Sequence, residues 1–118
     1  MASRTPDILY QGQPGTSNTD LYTVPASTKV TITGIIITNT NSATKYITLH
    51  IVQNGDSVAN DVALLYQQDI NGTGDSEGAG VLVFDTPIPL NTVGDKISGI
   101  QETAGAITVT IIGFTEAT

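Results

Sequence analysis

The 118-residue sequence has no cysteine and no tryptophan, and only four of its side chains are basic. Without cysteine, disulfides, thiolate nucleophiles and cysteine-ligated metals are excluded. The basic residues Arg4, Lys29, Lys45 and Lys96 are scattered through a chain of net charge −7. A surface that neutralises phosphates needs clustered lysine and arginine. We therefore expect neither nucleic acid nor a membrane as a partner.

Long apolar runs are also missing. The longest aliphatic run, Ile35 to Ile37, is far too short to cross a bilayer. No apolar stretch follows the opening residues 1–6, which predicts that there is no signal peptide and that synthesis is cytoplasmic.

Threonine, isoleucine and valine are abundant. They number 19, 14 and 9, so 42 of the 118 residues are β-branched and suit strands. Turn signals recur about every ten residues, which predicts an all-β, antiparallel β-sandwich of about eight strands, closed as a jelly roll. A helix is conceivable at 57–69, but the all-β surroundings favour a strand from Ala63. The predicted strands are 8–13, 21–24, 29–40, 45–53, 63–70, 81–84, 88–90, 96–102 and 106–114. We divide the chain into an N-terminal arm or edge strand, 1–19, and one β-sandwich domain, 20–118.

The strand at 29–40 changes character at Gly34. Before it, Val30 and Ile32 alternate with threonines, whereas after it both faces are apolar. Strict alternation places Ile35 and Ile37 on the second, outward face, and an outward face that becomes apolar indicates a cover such as another subunit. The last strand repeats the change. The predicted oligomer interface is Ile35, Ile37, Ile112 and Phe114.

Candidates for chemistry are few. The loop 69–77 matches a calcium-binding loop at positions one, three, six and nine, but Thr73 and Gly80 stand at the fifth and twelfth positions. A hairpin loop rich in turn formers is the main interpretation, and an ion site stays open as the alternative.

His50 is the sole histidine, and no Gly-x-Ser-x-Gly motif accompanies it. We expect a surface or interface histidine. The sequence thus predicts no catalytic, metal or cofactor residues, and a protein that is not an enzyme.

A recurrent set of strand and turn segments stands at 21–26, 38–41, 46–52, 63–66, 86–91, 94–97 and 107–113. Together these segments resemble a small β-sandwich found among structural proteins of tailed-bacteriophage virions, of the capsid decoration (cement) or fibre type. The chain departs from that pattern at Ser27-Thr28, where the family more often has a glycine turn. The resemblance covers about residues 20–114 and implies no catalytic residues.

The resemblance implies a virion structural protein. The first expectation is a decoration protein that binds the major capsid protein on the outer head surface as a homo-oligomer, a trimer in particular, after synthesis in the host cytoplasm. Its N-terminal arm would dock on the capsid through Ile8, Leu9 and Tyr10. The alternative is a tail or head fibre or baseplate appendage that contacts host surface glycans through the loops at 54–61 and 70–80.

Overall fold

The computed structural model describes residues 7–59, 62–74 and 80–117. Within these ranges the chain forms nine β-strands and no α-helix. The strands are β1 (Asp7–Gly12), β2 (Thr19–Thr23), β3 (Thr28–Asn39), β4 (Lys45–Val52), β5 (Ala63–Ile70), β6 (Val81–Phe84), β7 (Ile88–Leu90), β8 (Lys96–Gln101) and β9 (Ile107–Ala117).

The strands form two antiparallel sheets. Sheet A has the order β1-β9-β3-β6, and β7 pairs with β3 further along the same strand. Sheet B has the order β2-β8-β4-β5. The chain pairs with itself from its ends inward: β1 with β9, β2 with β8, β3 with β6 and β7, and β4 with β5. This winding is that of a jelly roll, so the predicted all-β antiparallel sandwich is confirmed.

The core lies between the sheets and is almost entirely aliphatic. Every second side chain of the central strands points into it, as the two-residue period of a strand requires. The buried apolar side chains of these strands are Val30, Ile32, Ile35, Ile37, Ile47, Leu49, Ile97, Ile107, Val109 and Ile111.

A β-bulge in β3 decides which of its isoleucines belong to this core. Ile32 pairs with Gly113 of β9 but Gly34 already pairs with Ile112, so β3 holds one extra residue at this point. The extra residue reverses the alternation. Ile35 and Ile37 are consequently 0% exposed and face inward. The predicted outward placement of these two residues is wrong.

Gly113 makes room for this bulge. A Cβ atom at position 113 would collide with the carbonyl oxygen of Thr31 on the neighbouring strand. A glycine is therefore required where β9 passes the bulge of β3.

Buried polar side chains tie loops to the sandwich. The Gln101 amide donates to the carbonyl oxygens of Pro14 (2.6 Å) and Ile107 (3.2 Å), and its oxygen accepts the Ile107 N–H at 2.7 Å. The Asn39 and Asp95 side chains likewise bond to backbone groups of nearby loops. These contacts satisfy groups that would otherwise be costly to bury.

Candidate functional site

The outer face of sheet A carries an apolar surface to which four strands contribute. Ile8 of β1 lies opposite Ile112 of β9, and Ile36 of β3 lies opposite Val83 of β6. The side chains on this face alternate with core residues along each strand. We call the following six residues, five aliphatic and one aromatic, the aliphatic face: Ile8, Ile36, Val81, Val83, Ile112 and Phe114.

Exposure on the aliphatic face is greatest at its two edges. Ile8 on β1 is 56% exposed, and Val81 and Val83 on β6 are each 59% exposed. In the described part of the chain, β1 and β6 are the end strands of sheet A. End strands present backbone groups as well as side chains to a partner.

Two of the four predicted interface residues lie on this face. Ile112 and Phe114 are half-buried on it, whereas Ile35 and Ile37 lie in the core. Ile36 takes their place outside, because the bulge shifts the pattern by one residue. A glycine within a strand pattern often marks a bulge, so Gly34 was the signal that could have given the right phase.

The described part of the predicted arm, from Asp7 onward, forms the edge strand β1 rather than a projecting arm. Backbone pairing with β9 holds it to the sandwich. The side chains of Leu9 and Tyr10 are partly buried against the core, whereas that of Ile8 is exposed.

Sheet B differs, because its outer face holds a cleft of about 310 Å³. Strands β4, β5 and β8 form its floor, and the loops at 16–18 and 58–59 contribute to its walls. The latter segment belongs to the predicted contact loop 54–61. The side chains that give the cleft its chemistry are Tyr46, Thr48, His50, Tyr66, Gln67 and Glu102.

A second bulge shapes this cleft. The register of β4 with β5 shifts between Ile47 and Leu49, opposite Tyr66 and Gln67. Gln67 has φ = +45°, a left-handed conformation that is costly for a residue with a Cβ atom. The Thr48 hydroxyl holds it there by accepting the Gln67 N–H at 2.8 Å. Tyr66 and Gln67 are both exposed and both line the cleft.

His50 lies within the cleft and is only 5% exposed. The expected surface position is therefore wrong, because neighbouring groups cover the ring, and the alternative, an interface histidine, stays a prediction. Burial holds the pKa of His50 below its ordinary value. Its Nδ1 atom is buried and has no hydrogen-bond partner among the described residues.

The described neighbours of His50 do not form a catalytic triad. Its cross-strand neighbour Ser98 donates its hydroxyl to Asp20 Oδ1 at 2.8 Å, and Lys96 pairs with the same carboxylate at 3.1 Å. The Ser98 hydrogen bond, followed by Lys96, lowers the pKa of Asp20. A serine nucleophile needs a histidine base that is itself oriented by a carboxylate, whereas here the serine is bound directly to the carboxylate.

The loop considered for calcium packs against the β3–β4 connection. Thr73 and Gly74 donate their N–H groups to the carbonyl oxygens of Asn41 and Ser42. Its other acidic positions, 75 and 77, lie outside the described residues. Across 7–59, 62–74 and 80–117, no three histidine, cysteine or acidic side chains are grouped to hold a metal ion. Nor do these ranges contain a helix that could cross a membrane.

Comparison with known proteins adds nothing to this geometry. The sequence matches no protein-family model and no curated protein.

Proposed function

We propose that the chain is a structural protein of a tailed-bacteriophage virion, and that it decorates the head as an oligomer bound to the major capsid protein. Jelly rolls serve in viral capsids and in lectins, so the fold alone does not select a function. The observation that carries the proposal is the aliphatic face, whose valines and isoleucines extend from one edge of sheet A to the other.

The chemistry of the aliphatic face suits another protein surface. Between its apolar side chains lie threonines, as in the cross-strand pairs Thr38–Thr108 and Ile36–Thr110. The charged pair Lys29–Glu116 lies at one end of the face. Burial of apolar area against a second protein is favourable, and it requires no compensation of buried charge.

Stabilisation of the capsid shell by a bound decoration protein follows from mass action. A protein that binds the assembled shell, and binds free subunits poorly, stabilises the shell by the free energy of that binding. Such a role needs no catalytic group and no cofactor, and we expect the protein to have no enzymatic activity.

The proposal is tested by placing a charge on the aliphatic face. Val83→Asp and Ile112→Asp should dissociate the oligomer in sedimentation velocity and abolish binding to expanded empty heads of the phage that encodes the chain. Val93→Asp is the matched control, since Val93 is 47% exposed but lies in the β7–β8 loop. It should change neither property. A wild-type protein that is strictly monomeric and does not bind the heads would contradict the proposal.

The His50 cleft favours a second candidate function, that of a fibre or baseplate appendage that contacts host glycans. The cleft is concave, lies on the sheet opposite the aliphatic face and is bordered by Val58 and Ala59 of the β4–β5 loop. Immunogold electron microscopy of purified virions separates the two candidates, because label on the head supports decoration and label on the tail supports an appendage.

A further inference from the structure

We propose that the His50 cleft is a binding site for a neutral saccharide. The inference concerns sheet B alone and does not depend on the decoration role. The inference names a ligand class for the appendage candidate. It rests on that candidate only for the biological purpose of the binding.

The first support is the incomplete hydrogen bonding of His50. Other buried polar side chains, such as Gln101, bond to backbone groups, whereas the buried Nδ1 of His50 has no partner in the described chain. Leaving a buried polar atom unpaired is unfavourable, and such exceptions in native proteins call for an explanation. His50 lines the cleft and its Nδ1 is closed to solvent in the free protein, so a ligand hydroxyl can donate to this nitrogen once the ring turns toward the cleft.

The second support is the charge of the cleft. Neutral donors and acceptors, among them Asn18, Thr48 and Gln67, line it, and no lysine or arginine does so among the described residues. Anionic ligands are usually held by such cations. The one acidic side chain, Glu102, already accepts the Tyr46 N–H at 3.2 Å. Groups of this kind suit ligand hydroxyls, which both donate and accept hydrogen bonds.

The third support is aromatic surface beside these polar groups. Tyr66 is 57% exposed at the cleft, and Tyr46 on the neighbouring strand is half-buried there. Ile100 adds an aliphatic side chain. Tyrosine combines an apolar ring with a polar tip, so it can contact the C–H groups of a sugar ring and its hydroxyls together. A volume of about 310 Å³ is at the small end of ligand pockets.

The fourth support is the bulge itself. Holding Gln67 in a left-handed conformation costs stability, and strain of this kind is concentrated at functional sites. The bulged residue Gln67 and its neighbour Tyr66 are both exposed, and both line the cleft.

The test uses the isotope-labelled full chain and nuclear magnetic resonance. Because His50 is the only histidine, its ring ¹⁵N signals need no assignment variant. The probes are glucose, galactose, mannose, N-acetylglucosamine and lactose, with N-acetylneuraminic acid and inorganic phosphate as charged comparisons. We expect at least one neutral sugar to shift the His50 and Tyr66 signals saturably, with a dissociation constant of about 1 mM or tighter.

Two variants locate the site. Tyr66→Ala should weaken binding of that sugar about tenfold or more, and His50→Phe, which keeps a ring of similar size, should weaken it severalfold. Val83→Ala on the aliphatic face is the control and should leave binding unchanged.

Three results would overturn the inference: no shift with any neutral sugar, shifts with the charged probes alone, or binding that is insensitive to Tyr66→Ala. None of them bears on whether the protein binds phage heads, so the two proposals fail separately.

Discussion

The outer faces of the two sheets differ although both sheets are antiparallel and enclose the same core. Sheet A presents valine, isoleucine and threonine in a continuous surface, whereas sheet B presents a concave polar cleft. A bulge lies at each face: one in β3 turns Ile36 outward, and one in β5 gives the cleft residue Gln67 a left-handed backbone. One extra residue in a strand thus determines which side chains reach the surface.

The two bulges are built differently. Where β3 bulges, Gly113 on the adjacent strand removes the side chain that would collide. Where β5 bulges, a glutamine with a left-handed backbone is held in place by Thr48. Backbone strain is therefore found at the β5 bulge beside the cleft. The β3 bulge beneath the aliphatic face is formed without such strain. We infer that binding by the aliphatic face depends on the apolar chemistry of its side chains, whereas binding by the cleft depends on a fixed backbone shape.

The largest effect expected from this comparison is at Ile35. Ile35→Asp would bury an unpaired carboxylate in the core, and it should lower the free energy of unfolding by more than about 4 kcal/mol, enough to prevent folding of a small domain. Ile36→Asp, one residue along on the aliphatic face, should cost about 1–2 kcal/mol and leave the sandwich folded. Circular dichroism with urea denaturation measures both.

The order of these two costs tests the bulge directly. If Ile36→Asp were the more destabilising substitution, the phase of β3 beyond Gly34 would be opposite to that in the structure. In that case Ile35 would return to the outer face.

The sequence predicts the strands far better than it predicts the faces. β-Branched runs and turn residues locate β3, β4, β8 and the start of β9 to within one residue, because strand propensity and turns are local properties. The end of β9 lies three residues beyond the predicted one. Which face a residue occupies beyond Gly34 depends on a bulge, and the bulge depends on contacts with Gly113 on a distant strand.

Ser27, where the resembled family has a glycine turn, has φ = +56°, the conformation that a glycine adopts easily.

The cleft was not predictable in the same way. Its residues come from β4, β5 and β8 and from two loops, so only the folded chain brings Tyr46, Tyr66 and His50 together. The two-residue period of a strand is enough to place His50 on the same face of β4 as Thr48. The burial of the ring depends on neighbours that are remote in sequence.

A smaller effect is expected at the strained bulge of sheet B. Gln67→Gly should raise the free energy of unfolding by about 1 kcal/mol, because glycine adopts a positive φ without steric cost. Gln68→Gly is the matched control, an exposed glutamine at the next position of the same strand. It should lower stability by about 0.5–1 kcal/mol through lost conformational restriction. Thermal and urea unfolding of both variants give the comparison, and equal destabilisation by the two would contradict strain at position 67.

The smallest effect should distinguish the two faces by pH. Burial lowers the pKa of His50 in the folded protein, so below its ordinary value of 6.5 the unfolded chain binds the proton more readily. The contribution of a neutral His50 is therefore complete at pH 8 and declines as the pH falls through 6.5. Asp20, whose pKa is lowered, loses its contribution only as the pH falls below about 3.8. The urea midpoint of the wild-type protein should fall from pH 8 to pH 5.5 by more than that of His50→Gln. The Ile36→Asp variant, altered on the other sheet, is the control and should keep the pH dependence of the wild-type midpoint. If the wild-type midpoint were no more sensitive to pH than that of His50→Gln, the cleft would not disfavour the charged imidazole.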